Sequence, residues 1–193
     1  MIIKTTKSKP SSTNKIIITS LLLAIGVILH QITPPIFLGM RPDLLLVFMI
    51  LSIILNKDLK ISFITGIVAG VLGALVTAFP GGQLPNIIDK IITSIVVFGL
   101  YKSFSKCKNN NVNVNVKNII NSPLKLASIY FIGTLISGSI FLVSALILFG
   151  LPASFLVLFS TIVIPTAVIN CVIGFFIHKM IIGNKVLRDK FNG

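Results

Sequence analysis

Apolar residues dominate six long runs of this chain, at residues 16–33, 42–55, 59–79, 86–104, 124–149 and 152–182, and most charged residues lie in the intervals between them or in the two tails. Runs of this length carry no strict alternation, which argues against half-buried strands. Helices are the expected element for each, because a hydrocarbon environment offers no water to unpaired backbone groups. The second run is the shortest, with residues 44–55 apolar but for Ser52. A perpendicular crossing takes roughly 20 residues, so this run reads either as a re-entrant segment or as a short helix extended through Pro42 in its first turn. The fifth and sixth runs are joined only through Gly150, Leu151 and Pro152, the last of which opens the sixth, so they make an antiparallel hairpin. Pro165 falls near the middle of the sixth run and predicts a kink.

The cations decide between five and six crossings. Of seventeen Lys and Arg, six crossings leave only Arg41 and Lys90 on one side and the other fifteen together on the opposite side. Five crossings put Lys4, Lys7, Lys9, Lys15 and Lys90 on the N-terminal side and the other twelve opposite, which inverts the bias expected of cytoplasmic loops. The chain therefore reads as an all-α integral membrane protein of six transmembrane helices with both termini cytoplasmic. A basic tail over 1–15 precedes the membrane domain, 16–182, and a second basic tail follows over 183–193. Within the domain, the Asn/Val-rich segment 105–122 reads as a flexible cytoplasmic connector, with a short strand as the alternative. The basic start and first apolar run imitate a signal peptide without a small-residue cleavage pattern, so the run is expected to be a retained span.

Composition agrees: the chain is 54% hydrophobic and 11% charged, with mean hydropathy +1.03 and four acids, Asp43, Asp58, Asp89 and Asp189. A net charge of +13 raises the question of nucleic acid, but the cations lie between apolar runs and form no stripe interleaved with stacking aromatics. They are expected to set topology and meet anionic lipid heads in the bilayer, with no nucleic-acid partner. Cys107 and Cys171 have neither disulfide nor metal-ligand spacing. Small residues recur at intervals of four at Gly66, Gly70, Ala74 and Ala78, with shorter pairs at Ser20/Ala24, Gly133/Ser137 and Asn170/Gly174. Each marks a close helix contact, inside the bundle in the plainer reading; the Ser20/Ala24 pair is the candidate for docking a second membrane subunit.

Candidate chemistry concentrates in the two outward stretches, 30–43 and 77–90. Arg41 and Asp43 read as interfacial snorkelling plus an acid at a helix N-terminus, or as ligand contacts. Lys90 is different, since a cation near a helix N-terminus opposes the dipole and needs a carboxylate or water nearby; Asp89 adjoins it. His30 either donates to a backbone carbonyl or takes a ligand role. Gln83 and Asn86 supply amides, and Phe37 and Phe79 supply aromatic faces. Such a set suits a zwitterionic aromatic amino acid, and a vitamin with a flat ring would use similar groups.

No phosphate-binding loop, H-E-x-x-H, G-x-S-x-G or Cys/His cluster occurs, so the chain is expected to be no enzyme, to hold no cofactor or metal, and to draw energy from elsewhere. A solo ion-coupled carrier would normally keep acids at mid-depth, whereas each Asp falls near the end of a run or in the tail. A structural membrane protein, the third class, would bind no solute.

The residues His30, Pro34, Pro35, Gly39, Met40, Pro42 and Asp43, with Thr77 to Pro80, Gly82, Gln83 and Pro85 to Lys90, resemble the bacterial tryptophan transporter (TrpP) family, which is grouped with the substrate-binding S components of energy-coupling factor (ECF) transporters. The resemblance implies an S-component-like bundle that captures L-tryptophan outside and works with a transmembrane coupling subunit and two cytoplasmic ATPases. It also implies that Ser20 and Ala24 face the coupling subunit, with Ser20 in the first place of an Ala-x-x-x-Ala pattern. Expected substrate contacts are Arg41 or Lys90 for the carboxylate, Asp89 or Asp43 for the ammonium, Gln83 and Asn86 for the indole N–H, and Phe37 and Phe79 for stacking, with His30 beside them.

Overall fold

A computed structural model describes residues 12–34, 41–106, 123–151 and 153–183. The N-terminal tail to residue 11, most of the 105–122 connector and the tail from 184 lie outside the described residues, as does Phe37. Six helices and no strand occur among the described residues. α1 covers Ser12–Ile32, α2 Leu44–Asn56, α3 Leu59–Val76, α4 Gln83–Lys106 and α5 Pro123–Phe149. The last, α6, is built of an α-helical turn Phe155–Leu158, a π-helical stretch Phe159–Val163 and an α-helix Ile164–Gly183. α1 and α4 reach into the ends assigned above to tail and connector.

Five of these helices are long and apolar enough to cross a membrane; α2 is not. Its 13 residues rise about 20 Å, against a hydrocarbon core about 30 Å thick. Every α2 residue is nonetheless buried, because the other helices surround it. An all-round apolar sequence belongs in such a position, shielded from solvent by protein. Leu45, Met49, Ile50, Ile53 and Ile54 form the centre of the largest core cluster, with Tyr130, Ile129 and Val97. The helix starts after Asp43, whose Oδ1 accepts from the Leu46 amide at 3.0 Å. Pro42 thus lies before the cap and not in the first turn, a correction that follows from carboxylate capping. At the other end Lys57 adopts φ 57°, and its amide returns to the Ile53 carbonyl at 3.1 Å.

Neighbouring helices alternate in direction. α1 meets the far end of α2 through a buried knot: the Thr19 and Ser52 hydroxyls share a hydrogen bond of 2.9 Å, and Asn56 Nδ2 donates to both, at 2.8 and 3.1 Å. Beside it, Lys15 pairs with Asp58 at 3.3 Å. Burial pushes the Asp58 carboxyl up, but hydrogen bonds from Lys15 and from the Lys60 and Ile61 amides outweigh this and hold it below its ordinary value. α1 touches only α2 and α3 extensively, so Ile17, Leu21, Ile28 and Ile32 remain exposed on its outer side.

The most extensive interface joins α3 and α4. A Cβ at Gly66 would collide with the Ser94 side chain and the Lys90 carbonyl, and one at Gly70 would lie 3.0 Å from Ile87 Cα. The small-residue ladder therefore packs inside the bundle, continuing through Gly73 against Asn86 where Ala74 was expected. Overpacking this seam costs about 1–3 kcal/mol or more. Gly66→Leu should accordingly lower the thermal unfolding midpoint of detergent-solubilised protein, while Gly99→Leu, at a site with no neighbour within 4 Å, should not.

α6 departs from the expected simple kink. The Ile164 amide bonds the Phe159 carbonyl, five residues back, immediately before Pro165. Widening the turn in this way accommodates a ring that lacks an N–H and crowds the preceding turn.

Candidate functional site

One end of the bundle gathers the C-terminal ends of α1, α3 and α5 and the N-terminal ends of α2, α4 and α6. Lys15, Lys57, Lys60, Lys102, Lys125 and Lys179 belong to the opposite helix ends. A cavity of about 430 Å³ opens among the first set, within the usual range for small-molecule sites.

Its floor carries charge. Lys90, 2% exposed, lies in the second turn of α4 and donates from Nζ to Asp43 Oδ2 at 2.6 Å, to Asp89 Oδ2 at 2.8 Å and to Ser137 Oγ at 3.3 Å. Asp89, 1% exposed, is held further by Ser137 Oγ (2.8 Å, to Oδ2) and Thr93 Oγ1 (2.8 Å, to Oδ1). Asn86, Asp89, Lys90 and Thr93 recur at i, i+3, i+4 and i+7, so one face of α4 presents them together. Two carboxylates share one ammonium, which leaves one formal negative charge uncompensated. A buried group of this kind is stable only with its hydrogen bonds complete, and here each charged member has at least two polar contacts.

The rim and walls differ from the floor. Arg41 is exposed, and Nη1 reaches Gln31 Oε1 only at 3.5 Å. His30 Nδ1 bonds the Pro42 carbonyl at 3.1 Å, the backbone role weighed above, while its ring also lines the cavity. Phe79 stands edge-on to Phe141, with centroids 5.4 Å apart, and Leu45, Leu46, Val76, Leu142 and Val163 complete the apolar wall. Phe79 is fixed by a tight turn. The Gly82 amide bonds the Phe79 carbonyl at 2.9 Å, and Gly81 follows Pro80 with φ +72°, the third-position geometry of a type II turn. Any larger residue at 81 would also strike the Phe149 ring.

Of the residues singled out in the sequence, the cavity thus brings together His30, Arg41, Asp43, Phe79, Asn86, Asp89 and Lys90. Gln83 is not among the lining residues; as the exposed first residue of α4 it stands two turns beyond Lys90. Asn86 spends Nδ2 on the Gly82 carbonyl at 2.9 Å. Sequence reasoning missed Thr93, Phe141 and Thr134, and took Ser137 for packing only. Ser20 and Ala24 are exposed on the outer side of α1, far along the helix from His30, and the Ser20 hydroxyl bonds the Ile16 carbonyl at 3.0 Å. No group of three His, Cys, Asp or Glu able to hold a metal occurs among the described residues.

An apolar multi-helix bundle with an amphipathic, charge-floored cavity at one end defines a multi-pass membrane protein equipped for a small solute. Residues 12–188 match the family described as "Tryptophan transporter TrpP", and the chain belongs to that family. It is 50% identical over 160 residues to a probable tryptophan transport protein of Clostridium acetobutylicum, covering 83% of this chain and 86% of that protein. A probable tryptophan transport protein of Bacillus subtilis is 38% identical over 169 residues, covering 88% and 91%. No solved structure matches.

Proposed function

We propose that this protein is a tryptophan-uptake subunit of the bacterial cell membrane, crossing six times with both termini and the lysine-rich helix ends in the cytoplasm and the cavity facing out. The uneven distribution of Lys and Arg supports this orientation, and the family membership and the relatives' names support the substrate. α2 completes the crossing inside a sheath of protein, with residues 41–43 and 57–58 extending it at its two ends.

The observation that carries the reading is the surplus carboxylate. Lys90 is engaged by Asp43, Asp89 and Ser137 and has no free donor direction for a ligand carboxylate. That role passes to Arg41 at the rim, and the two acids attract the ligand ammonium. Phe79 and Phe141 flank the indole, with Asn86 and His30 at the polar edge, and Phe37 remains a candidate for the same wall. Gln83 is a candidate for closing the mouth. Energy comes from two ATPases through a coupling subunit that docks on the Ser20/Ala24 face of α1, in the manner of ECF transporters.

The chain contains no tryptophan, so indole fluorescence in a binding assay belongs to ligand alone. Tryptamine, which keeps the ammonium, is expected to compete with L-tryptophan, and indole-3-propionate, which keeps only the carboxylate, to fail. The reverse order would sink the charge assignment, and tight binding of a flavin or biotin in place of both would sink the substrate. Uptake by vesicles holding this protein alone would instead support a solo carrier.

A further inference from the structure

Below the cavity, α5 and α6 face each other along a polar seam that the solute site does not use. On α6, Thr166 lines the cavity, and Asn170, Gly174 and His178 follow at intervals of four toward the other end of the bundle. On α5, Thr134 and Tyr130 lie opposite. Asn170 Nδ2 donates to Thr134 Oγ1 at 3.4 Å, and the Tyr130 ring lies where any side chain at position 174 would stand. Among the described residues, the buried side-chain nitrogens and oxygens without a partner are Tyr130 Oη, Asn170 Oδ1 and both ring nitrogens of His178. Tyr130 and Asn170 belong to this seam, and His178 lies two turns beyond Asn170 on the same face of α6. Tyr130, Asn170 and His178 are each at most 1% exposed, so lipid headgroups and bulk solvent do not reach them.

Buried polar atoms are almost always hydrogen-bonded, and one orphan alone is unremarkable. A phenol, an amide oxygen and an imidazole in one line supply donors and acceptors in the number that internal water requires, two to four contacts for each molecule. The line begins directly under a cavity-lining threonine, and the π-helical stretch and Pro165 lie just above it, where α6 deviates from regular packing. We propose that α5 and α6 enclose a file of internal water that runs from the cavity floor at Thr134 and Thr166, past Asn170 and Tyr130, to His178. The bundle is thereby hydrated along this internal interface, which gives the cavity a polar connection toward the end opposite its mouth. This depends on the cavity and not on which solute fills it.

The test uses full-length protein in lipid vesicles with Cys107 and Cys171 replaced by Ser. Single cysteines are placed at the seam (Asn170→Cys, His178→Cys) and on the exposed side of the same helix (Val168→Cys, Val172→Cys). The thiolate is the form that adds to the double bond of N-ethylmaleimide, and each unit by which a dry apolar setting raises a thiol pKa cuts the thiolate about tenfold. The seam cysteines are expected to react at least about tenfold faster than the two controls. Equal inertness at all four positions would overturn the proposal. A second measurement on unsubstituted protein avoids any folding defect: hydroxyl-radical footprinting should oxidise the Tyr130 ring despite its burial, because radicals form from adjacent water. An unmodified Tyr130 beside oxidised cavity residues would overturn it equally. Neither readout involves tryptophan, so a wrong substrate leaves both results standing.

Discussion

Lys90→Met is expected to prevent accumulation of folded protein. The substitution keeps the length of the side chain and removes the one cation that Asp43 and Asp89 share, leaving two carboxylates facing each other in a buried site. Breaking a buried ion pair from one side typically costs about 3–5 kcal/mol, a large part of the roughly 5–15 kcal/mol that holds a domain together. Removing the acids as well takes away that penalty. The triple variant Asp43→Asn, Asp89→Asn, Lys90→Met should therefore recover a monodisperse peak and a thermal midpoint near the parent, yet bind no tryptophan. Lys90→Arg should fall between, since it retains the charge but not the compact ammonium that reaches three oxygens at once. A single Lys90→Met protein that folds and melts like the parent would show that the cluster contributes little to stability.

How far the sequence led to this cluster depended on the kind of signal each residue gives. Lys90 was conspicuous because a cation near a helix N-terminus demands an explanation, and Asp43 because acids are scarce in the chain. Their pairing across 47 positions had no local signature. Ser137 and Thr93 were harder still, since hydroxyls are common in apolar helices and usually bond their own backbone, as Thr65, Thr134 and Ser139 do. The six helices followed from uninterrupted apolar runs, but periodicity does not say which helix is central. α2 is short and, but for Ser52 and Asn56, apolar on every side, which suits a helix that protein surrounds; in the sequence that same shortness also allowed a re-entrant segment. Gln83 was chosen for its chemistry and proximity to Asn86, whereas the start of α4 leaves it exposed beyond the cavity end. At the π-helical stretch ahead of Pro165, Val163 of α6 packs against Gly138 of α5, a tertiary contact that proline alone does not specify.

Asp43→Asn separates the two tasks of one carboxylate. Oδ1 caps α2 by accepting from Leu46, and Oδ2 accepts from Lys90. Asparagine is as good a cap as aspartate, so α2 should start at the same residue. With Asp89 still paired to Lys90, no charge is stranded, but the amide Nδ2 that replaces Oδ2 turns a donor toward the ammonium, so the thermal midpoint is expected to fall modestly, far less than in Lys90→Met. The surplus negative charge is gone, however, and with it the attraction for the ligand ammonium. Truncating one partner of a buried charged contact costs about 2–5 kcal/mol, and each 1.4 kcal/mol is a factor of ten, so tryptophan affinity should fall about 30-fold or more. Arg41→Gln, at the exposed rim, should weaken binding less, in keeping with the smaller worth of solvated charges. Ligand fluorescence titration of the two variants against the parent measures both effects. Undiminished affinity in Asp43→Asn would place the ammonium elsewhere, because no other substitution removes the surplus charge while leaving cap, lysine and Asp89 in place.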